Sequence, residues 1–393
     1  MVKETKFVLE GLHYRTGEPI FVHIENGRIL DIFAAAHSNQ AGSLSWLAPG
    51  LIDLQVNGCF GLDMNTLPLR PDTVLRMTRA LLREGVTTYC PTVITNSPEA
   101  IEQAVGAIAG AARSYPAIAA CIVGIHLEGP FISPEDGPRG AHPLEHVGPP
   151  DWSAFCRWQD AAEGRIRMVT VSPEWPGALS FISRCAESGV IVSIGHTGAT
   201  AEQIREAVSA GAVMSTHLGN GTHLTLPRHP NYLWEQLAAD ELYGCMIADG
   251  FHLPPAVLKV ILRMKGERAI VVSDSVSFSG MPPGRYHPHI GGDVVLTEEG
   301  RLHLADHPKL LAGSARLLKE QVAYLADQGL ASLEDAWDCA SLHPAAMLGL
   351  PQEQGLKVGA PADLVQVDRV AGRLRILNCC KAGILQEMSG EYD

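Results

Sequence analysis

The chain has 393 residues, 46% of them apolar, and a net charge of −13 with no acidic or basic block. That composition fits a large globular core and gives no footprint for nucleic acid or an anionic membrane surface. No stretch approaches the ~18 apolar residues of a membrane span, and the first residues lack the apolar core of a leader. The nine cysteines, an odd number with no CxxC pair, read as reduced thiols in a cytoplasm.

Taken in order, residues 1 to about 48 alternate and turn. Phe7–Gly11 and Ile20–Leu30 are strand-like, and Asn26-Gly27 between alternating runs is a hairpin signal. The far end repeats this with Ala362–Val367 and Leu374–Leu377, so the two termini are expected to pair into one small β-sandwich domain, residues 1–48 and 355–393. Between them, residues 49–354 alternate strand and helix patterns. The strands are Leu51–Val56, Thr87–Tyr89, Ile122–Leu127, Arg167–Val171, Val190–Ile194, Ala212–Thr216, Cys245–Ala248 and Ala269–Ser273. Helices fall at Pro71–Arg83, Pro98–Ala112, Ala201–Ala210 and Pro254–Met264. Eight strands alternating with helices predict a (β/α)₈ TIM-type barrel, which does its chemistry at the carboxyl ends of its strands. The Gly/Pro-rich stretches 129–150 and 219–231 are long enough to be binding loops.

Four strand ends carry a polar residue: Glu128, His196, His217 and Asp274. Singly, each has a plain structural reading, a hydrogen-bonded imidazole or a capping carboxylate. Their recurrence carries the argument, because an unpartnered carboxylate at the end of a buried strand is costly. One carboxylate and two imidazoles suit Zn²⁺ and accept Fe²⁺ or Co²⁺. Three protein ligands with an open position activate water, and Asp274 beside them is placed to take a proton and return it to a leaving group. His142, beyond a flexible loop, is a candidate to polarise a carbonyl or hold an oxyanion. Asn220-Gly221 offers backbone N–H groups to an anion, and Arg228 sits in a Pro-rich loop suited to phosphate. Asp249 and His252 add an acid and an imidazole at the rim, and Leu311, Ala312, Gly313 and Ser314 form a small-residue loop. No Gly-x-Ser-x-Gly elbow, P-loop or dinucleotide fingerprint is present.

These motifs resemble the amidohydrolase superfamily, and within it the N-acetylglucosamine-6-phosphate deacetylase family, over nearly the whole chain. The resemblance runs through Ala48-Pro49-Gly50-Leu51-Ile52-Asp53-Leu54-Gln55-Val56-Asn57-Gly58, His126-Leu127-Glu128-Gly129-Pro130-Phe131, Gly195-His196-Thr197, Thr216-His217-Leu218 and Ser273-Asp274. Most relatives carry His-x-His at the first strand; Gln55 and Asn57 stand there here, which is similar to deacetylases that hold a single metal. The resemblance implies one divalent metal, Zn²⁺ foremost, on Glu128, His196 and His217, with Asp274 as general base and acid and His142 on the substrate carbonyl. It places Ala141, Asn220, Gly221, Arg228, His252 and the Leu311–Ser314 loop around an amino sugar phosphate, with Asp249 beside them. It also implies a homodimer, the arginine loop reaching across. The departures from the family pattern fall at Gly219-Asn220-Gly221-Thr222-His223 and Ser275-Val276-Ser277-Phe278-Ser279-Gly280. The expected reaction is hydrolysis of the N-acetyl group of N-acetylglucosamine 6-phosphate. Its rivals are the same chemistry on another N-acyl amino sugar or an N-acyl amino acid, and a catalytically silent barrel, which an intact ligand set and base disfavour.

Overall fold

The computed structural model describes residues 6–35, 44–287 and 292–388. The chain begins with β1 (Lys6–His13), β2 (Pro19–Glu25), β3 (Arg28–Ala34) and β4 (Trp46–Pro49). The β2–β3 turn is the expected Asn-Gly one, with φ of 50° at Asn26 and 80° at Gly27, the pair of positive values that a type I′ hairpin needs.

The barrel strands follow from β5 (Leu51–Val56); a small hairpin, β6 (Gly58–Cys59) and β7 (Leu62–Asp63), leads into α1 (Pro71–Arg83), which has the expected bounds. Then come β8 (Val86–Ile94), α2 (Pro98–Ser114), α3 (Pro116–Cys121), β9 (Ile125–Glu128), α4 (Trp152–Ala161), β10 (Ile166–Val171) and α5 (Ala178–Glu187). The series continues with β11 (Ile191–Ile194), α6 (Ala201–Ser209), β12 (Ala212–Ser215), α7 (Tyr232–Ala238), β13 (Tyr243–Met246), α8 (Pro255–Lys265) and β14 (Ala269–Val271). Ser97 caps α2, and Thr200 with Gln203 forms a capping box on α6.

The eight strands form one parallel sheet in the order β14-β13-β12-β11-β10-β9-β8-β5. Closure is slight: Val56 and Ser275 make a single parallel bridge, and Asn57 and Gly58 both donate backbone N–H to the Ser275 carbonyl at 2.9 Å. The last strand is shorter than the expected Ala269–Ser273 because the Ser273 N–H leaves the ladder for the Asp53 carboxyl, 3.1 Å away. The third strand starts at Ile125 rather than Ile122, which makes only an isolated bridge to Tyr89.

After the barrel strands, β15 (Gly284–Tyr286), β16 (Val294–Leu296) and β17 (Leu302–Leu304) form a small antiparallel sheet with its own apolar cluster. No periodicity named above marks it. It precedes α9 (Leu318–Asp327), α10 (Leu333–Asp338) and α11 (Leu342–Met347).

The chain ends in β18 (Leu364–Val370), β19 (Arg373–Lys381) and β20 (Ile384–Leu385). These join the first four strands in one sheet of order β20-β19-β18-β4-β1-β2-β3. The sheet folds across itself as a sandwich, for Ile29 of β3 donates to the Ala360 carbonyl and packs in one cluster with Cys380 of β19. A buried pair fastens it to the barrel: Lys381 Nζ lies 2.7 Å from Asp363 Oδ2 and donates to Thr88 Oγ1 of β8. The neighbours Cys379 and Cys380 sit in β19 as expected, buried.

Val, Ile and Leu fill the barrel wall and the layer beneath the helices, Ile125, Leu127, Val169, Val171, Val192 and Ile194 all fully enclosed. Each such side chain contributes about 1.5–3 kcal/mol. That rigid wall is what lets polar residues be held at its rim.

Candidate metal centre

Glu128 is the last residue of β9, His196 and His217 each follow their strand by two residues, and Asp274 follows β14 by three. Three of the four lie in left-handed backbone, with φ of 49° at His196, 26° at His217 and 46° at Asp274. Such a conformation costs a non-glycine residue about 1–2 kcal/mol. It is over-determined by the surroundings: the His196 carbonyl accepts from Ser133 N–H at 2.8 Å, and the His217 carbonyl from Asn220 N–H at 2.9 Å.

The result is a tight triangle. His217 Nε2 lies 3.0 Å from His196 Nε2 and 3.1 Å from Glu128 Oε1, and His196 Nε2 lies 3.3 Å from the same oxygen. All three side chains are buried. Tetrahedral ligands at the usual bond lengths of ~2.0–2.1 Å stand about 3.3 Å apart, so these edges fit a divalent cation. Two unprotonated imidazole nitrogens 3.0 Å apart repel unless a proton or a cation lies between them. His196 is oriented for this role, its Nδ1–H donating to the Pro138 carbonyl at 2.8 Å and leaving Nε2 as the ligand atom. His217 Nδ1 has no hydrogen-bond partner among the described residues.

Electrostatics agree. Burial would raise the Glu128 carboxyl, but the His196 and His217 contacts hold it well below its ordinary range. Burial would lower His217, yet the Glu128 carboxylate raises it. Carboxylate and imidazoles thus favour each other's charged forms. Asp274 is pushed up to about 6, first by burial and then by the nearby Glu128 charge.

Gln55 and Asn57 stand two residues apart on one face of the first barrel strand and its end, and both point their amides inward. Gln55 Nε2 donates to Glu128 Oε1 at 2.8 Å and to Asp274 Oδ1 at 3.0 Å; Asn57 Nδ2 donates to the same Asp274 oxygen at 2.8 Å. The Gln55 amide thus stands between the buried Glu128 and the half-buried Asp274 carboxylates, which would otherwise repel. The sequence shows these residues only as replacements for histidines; their period-2 spacing was the available clue to this shared task.

His142 is buried, its ring edge-to-face on His196 at 4.5 Å. Its Nδ1 lies 2.8 Å from Thr95 Oγ1, a partner that nothing in the motifs marks. Burial, reinforced by His196, pushes its pKa down to about 3, so it is neutral. His126, the first residue of the His-Leu-Glu-Gly-Pro-Phe motif, is not a ligand. It lies deeper, bonded to Thr170 Oγ1 and the Leu54 carbonyl.

The expected pocket residues divide. Gly221 adjoins His196 so closely that a Cβ there would stand 2.7 Å from Nδ1, and Asn220 donates to the His217 carbonyl at 3.3 Å. Ala141 and Arg228 are exposed. Asp249 is buried, with Oδ1 accepting from the Phe251 and His252 N–H groups and Oδ2 2.7 Å from His252 Nδ1. These contacts position His252 at the rim. Ser314 is fully buried, its hydroxyl 3.4 Å from Gln321 Nε2 and its backbone bridged to Ser275 beside Asp274. Leu311 bridges His303, Ala312 donates to the Leu302 carbonyl, and Gly313 passes too near Val276 to carry a Cβ.

A parallel barrel whose rim brings together a Glu/His/His triangle and an aspartate on the last strand defines a metal-dependent hydrolase. Residues 46–386 match the model of the amidohydrolase family. The N-acetylglucosamine-6-phosphate deacetylase of Lysinibacillus sphaericus is 31% identical over 372 residues, 91% of this chain and 94% of that one. The N-acetylgalactosamine-6-phosphate deacetylase of Escherichia coli O157:H7 is 32% identical, over 82% and 83%. Among solved structures, a mutant N-acetyl-D-glucosamine-6-phosphate deacetylase of Mycobacterium smegmatis in complex with N-acetyl-D-glucosamine-6-phosphate superposes with a TM-score of 0.83 at 29% identity, covering 97% of this chain and 99% of that one. The chain belongs to the N-acetylglucosamine-6-phosphate deacetylase family of the amidohydrolases. Among the described residues no helix is long and apolar enough to cross a membrane.

Proposed function

We propose that the chain hydrolyses the acetamide of N-acetylglucosamine 6-phosphate to acetate and the free amino sugar phosphate. The observation that carries this is the Glu128–His196–His217 triangle joined to Asp274 through the Gln55 amide, in a chain aligned nearly end to end with deacetylases. A cation held by Glu128, His196 and His217 supplies Lewis acidity, lowering the pKa of water and polarising a carbonyl; the donor set favours zinc.

The chain's residues do the rest. Asp274, clamped on Oδ1 by two amides, presents its other oxygen to take the proton of the attacking water. It then returns that proton to the departing nitrogen. His142 Nδ1 lies 2.8 Å from Thr95 Oγ1, and the catalytic tautomer is the one in which Nδ1 accepts from that hydroxyl. Its Nε2–H is then free to donate to the acetyl oxygen as charge develops there. Arg228, exposed and loop-borne, is the candidate for the phosphate. The exposed Leu224 and Trp234 flank it in sequence, 98% and 55% accessible, which supports a homodimer formed through this loop. Nine unpaired cysteines support the cytoplasm.

The relative named for N-acetylgalactosamine 6-phosphate supports a second reading, the same chemistry on the C4 epimer. Acetate release from the 6-phosphates of N-acetylglucosamine, N-acetylgalactosamine and N-acetylmannosamine, and from the free sugars, tests both, with metal analysis of the same preparation. Preference for the glucosamine epimer supports the first reading and preference for the galactosamine epimer the second. Silence across the panel in metal-loaded protein refutes both.

A further inference from the structure

We propose that Glu135 and His223 are a positioning pair that holds the 133–142 loop over the metal centre, and so sets the orientation of His196 and His142; this rests on the deacetylase reading above. His223 is the last residue of the segment where the chain departs from the family pattern. Its Nε2 donates to Glu135 Oε2 at 2.6 Å. Its other ring nitrogen lies 3.0 Å from the hydroxyl of Tyr232, which also accepts the backbone N–H of His223 at 2.9 Å. Tyr232 is buried at the first turn of α7, so His223 stands on a rigid post.

From Glu135 the contacts lead inward. Its carbonyl accepts from Arg139 N–H at 2.9 Å, and the Arg139 guanidinium donates to the carbonyls of Pro134 and His142, the latter at 3.0 Å, and to Asp136. Pro138, within the same loop, supplies the carbonyl that orients His196. The two loops touch backbone to backbone: a Cβ on Gly137, whose φ is 95°, would stand 2.9 Å from the Thr222 carbonyl oxygen. On the other flank Glu174 ties Ser133 to Gly198, fixing the start of the loop beside His196. The Glu135–His223 contact is a side-chain tie from this loop to the loop that carries Asn220 and Arg228.

Glu135 is 60% exposed and His223 27%. Pairs this open contribute little to global stability, up to about 1 kcal/mol, or roughly fivefold in an equilibrium. A positioning role and a merely structural one therefore predict different things. His223→Leu and Glu135→Ala are each expected to lower kcat about fivefold with the melting temperature nearly unchanged, and the double variant to be no worse than the poorer single. His223→Gln, which keeps an N–H near the Nε2 position, is expected to recover most of the loss. Amides of residues 133–142 are expected to exchange faster with solvent deuterium in His223→Leu than in wild type. Unaltered exchange in that segment, or additive losses in the double variant, would overturn the proposal. The exchange measurement needs no substrate. A wild-type protein that releases no acetate therefore counts against the deacetylase reading, while the exchange result still decides the pair.

Discussion

Gln55→Leu isolates the amide that joins the two carboxylates of the centre. Leucine has a similar volume and no donor, so Glu128 and Asp274 each lose one hydrogen bond, of 2.8 and 3.0 Å. Gln55 and Glu128 are 1% and 3% exposed, leaving little access for water to replace it. A hydrogen bond to a charged group contributes about 1.5–3 kcal/mol net, so the two together amount to about 3–6 kcal/mol. A bound cation offsets the loss at Glu128 but not at Asp274, where the Asn57 contact alone remains. The variant should therefore be destabilised by about 3–6 kcal/mol in chelator and by roughly half that when metal-loaded. Urea denaturation with excess zinc and with excess chelator, fitted with a shared slope, measures both. A variant within about 0.5 kcal/mol of wild type in chelator, a change typical of surface substitutions, would refute the account of Gln55 as a bridge between charges.

Asp274→Asn keeps an acceptor for the two amides but cannot take a proton. It should retain a stoichiometric metal and lose kcat by about 10³-fold, read by metal analysis beside acetate release. Arg228→Ala should raise KM for a phosphorylated sugar by at least about tenfold and leave the unphosphorylated sugar unaffected; equal effects on both would remove the phosphate role. Asp53, 1% exposed, is pushed up to about 7 from 3.8 by burial, partly offset by its contacts with Ser273. Between those values the folded chain keeps a proton that the unfolded chain has released. This contribution is full below about pH 4 and is lost as pH rises through 7, about 4 kcal/mol in all. Asp53→Asn does not titrate, so the stability of wild type relative to this variant should fall across that range, as measured by denaturant titrations at several pH values. Parallel profiles would refute the buried-carboxyl account.

Local chemistry made the barrel and the metal set readable. Apolar runs of four to six residues each ended in one polar residue, and the physics of burying a carboxylate or imidazole there leaves few reasons for that pattern to occur four times. The Asn26-Gly27 turn and the Pro71 start of α1 were legible for the same reason, since backbone preference is a property of neighbouring residues. The β15–β17 sheet was not legible, because its strands are three residues each, too short to show a period, and its apolar cluster is completed by Val276 and Phe278 from outside the strands.

The roles of Asp249 and Ser314 turned on direction. Both were expected at the rim from sequence, and the fold sets the Asp249 carboxylate against His252 and the Ser314 hydroxyl against Gln321. Thr95 beneath His142 and the Glu135–His223 pair lie 47 and 88 residues apart in sequence, and no short-range preference links such positions. Which residue types meet at the strand ends was thus written in the sequence, through the cost of burying polar groups. How their rings and oxygens are turned, including the left-handed backbone at His196, His217 and Asp274, was settled only when loops from distant strands packed together and made an unfavourable local conformation the one that satisfies every neighbour.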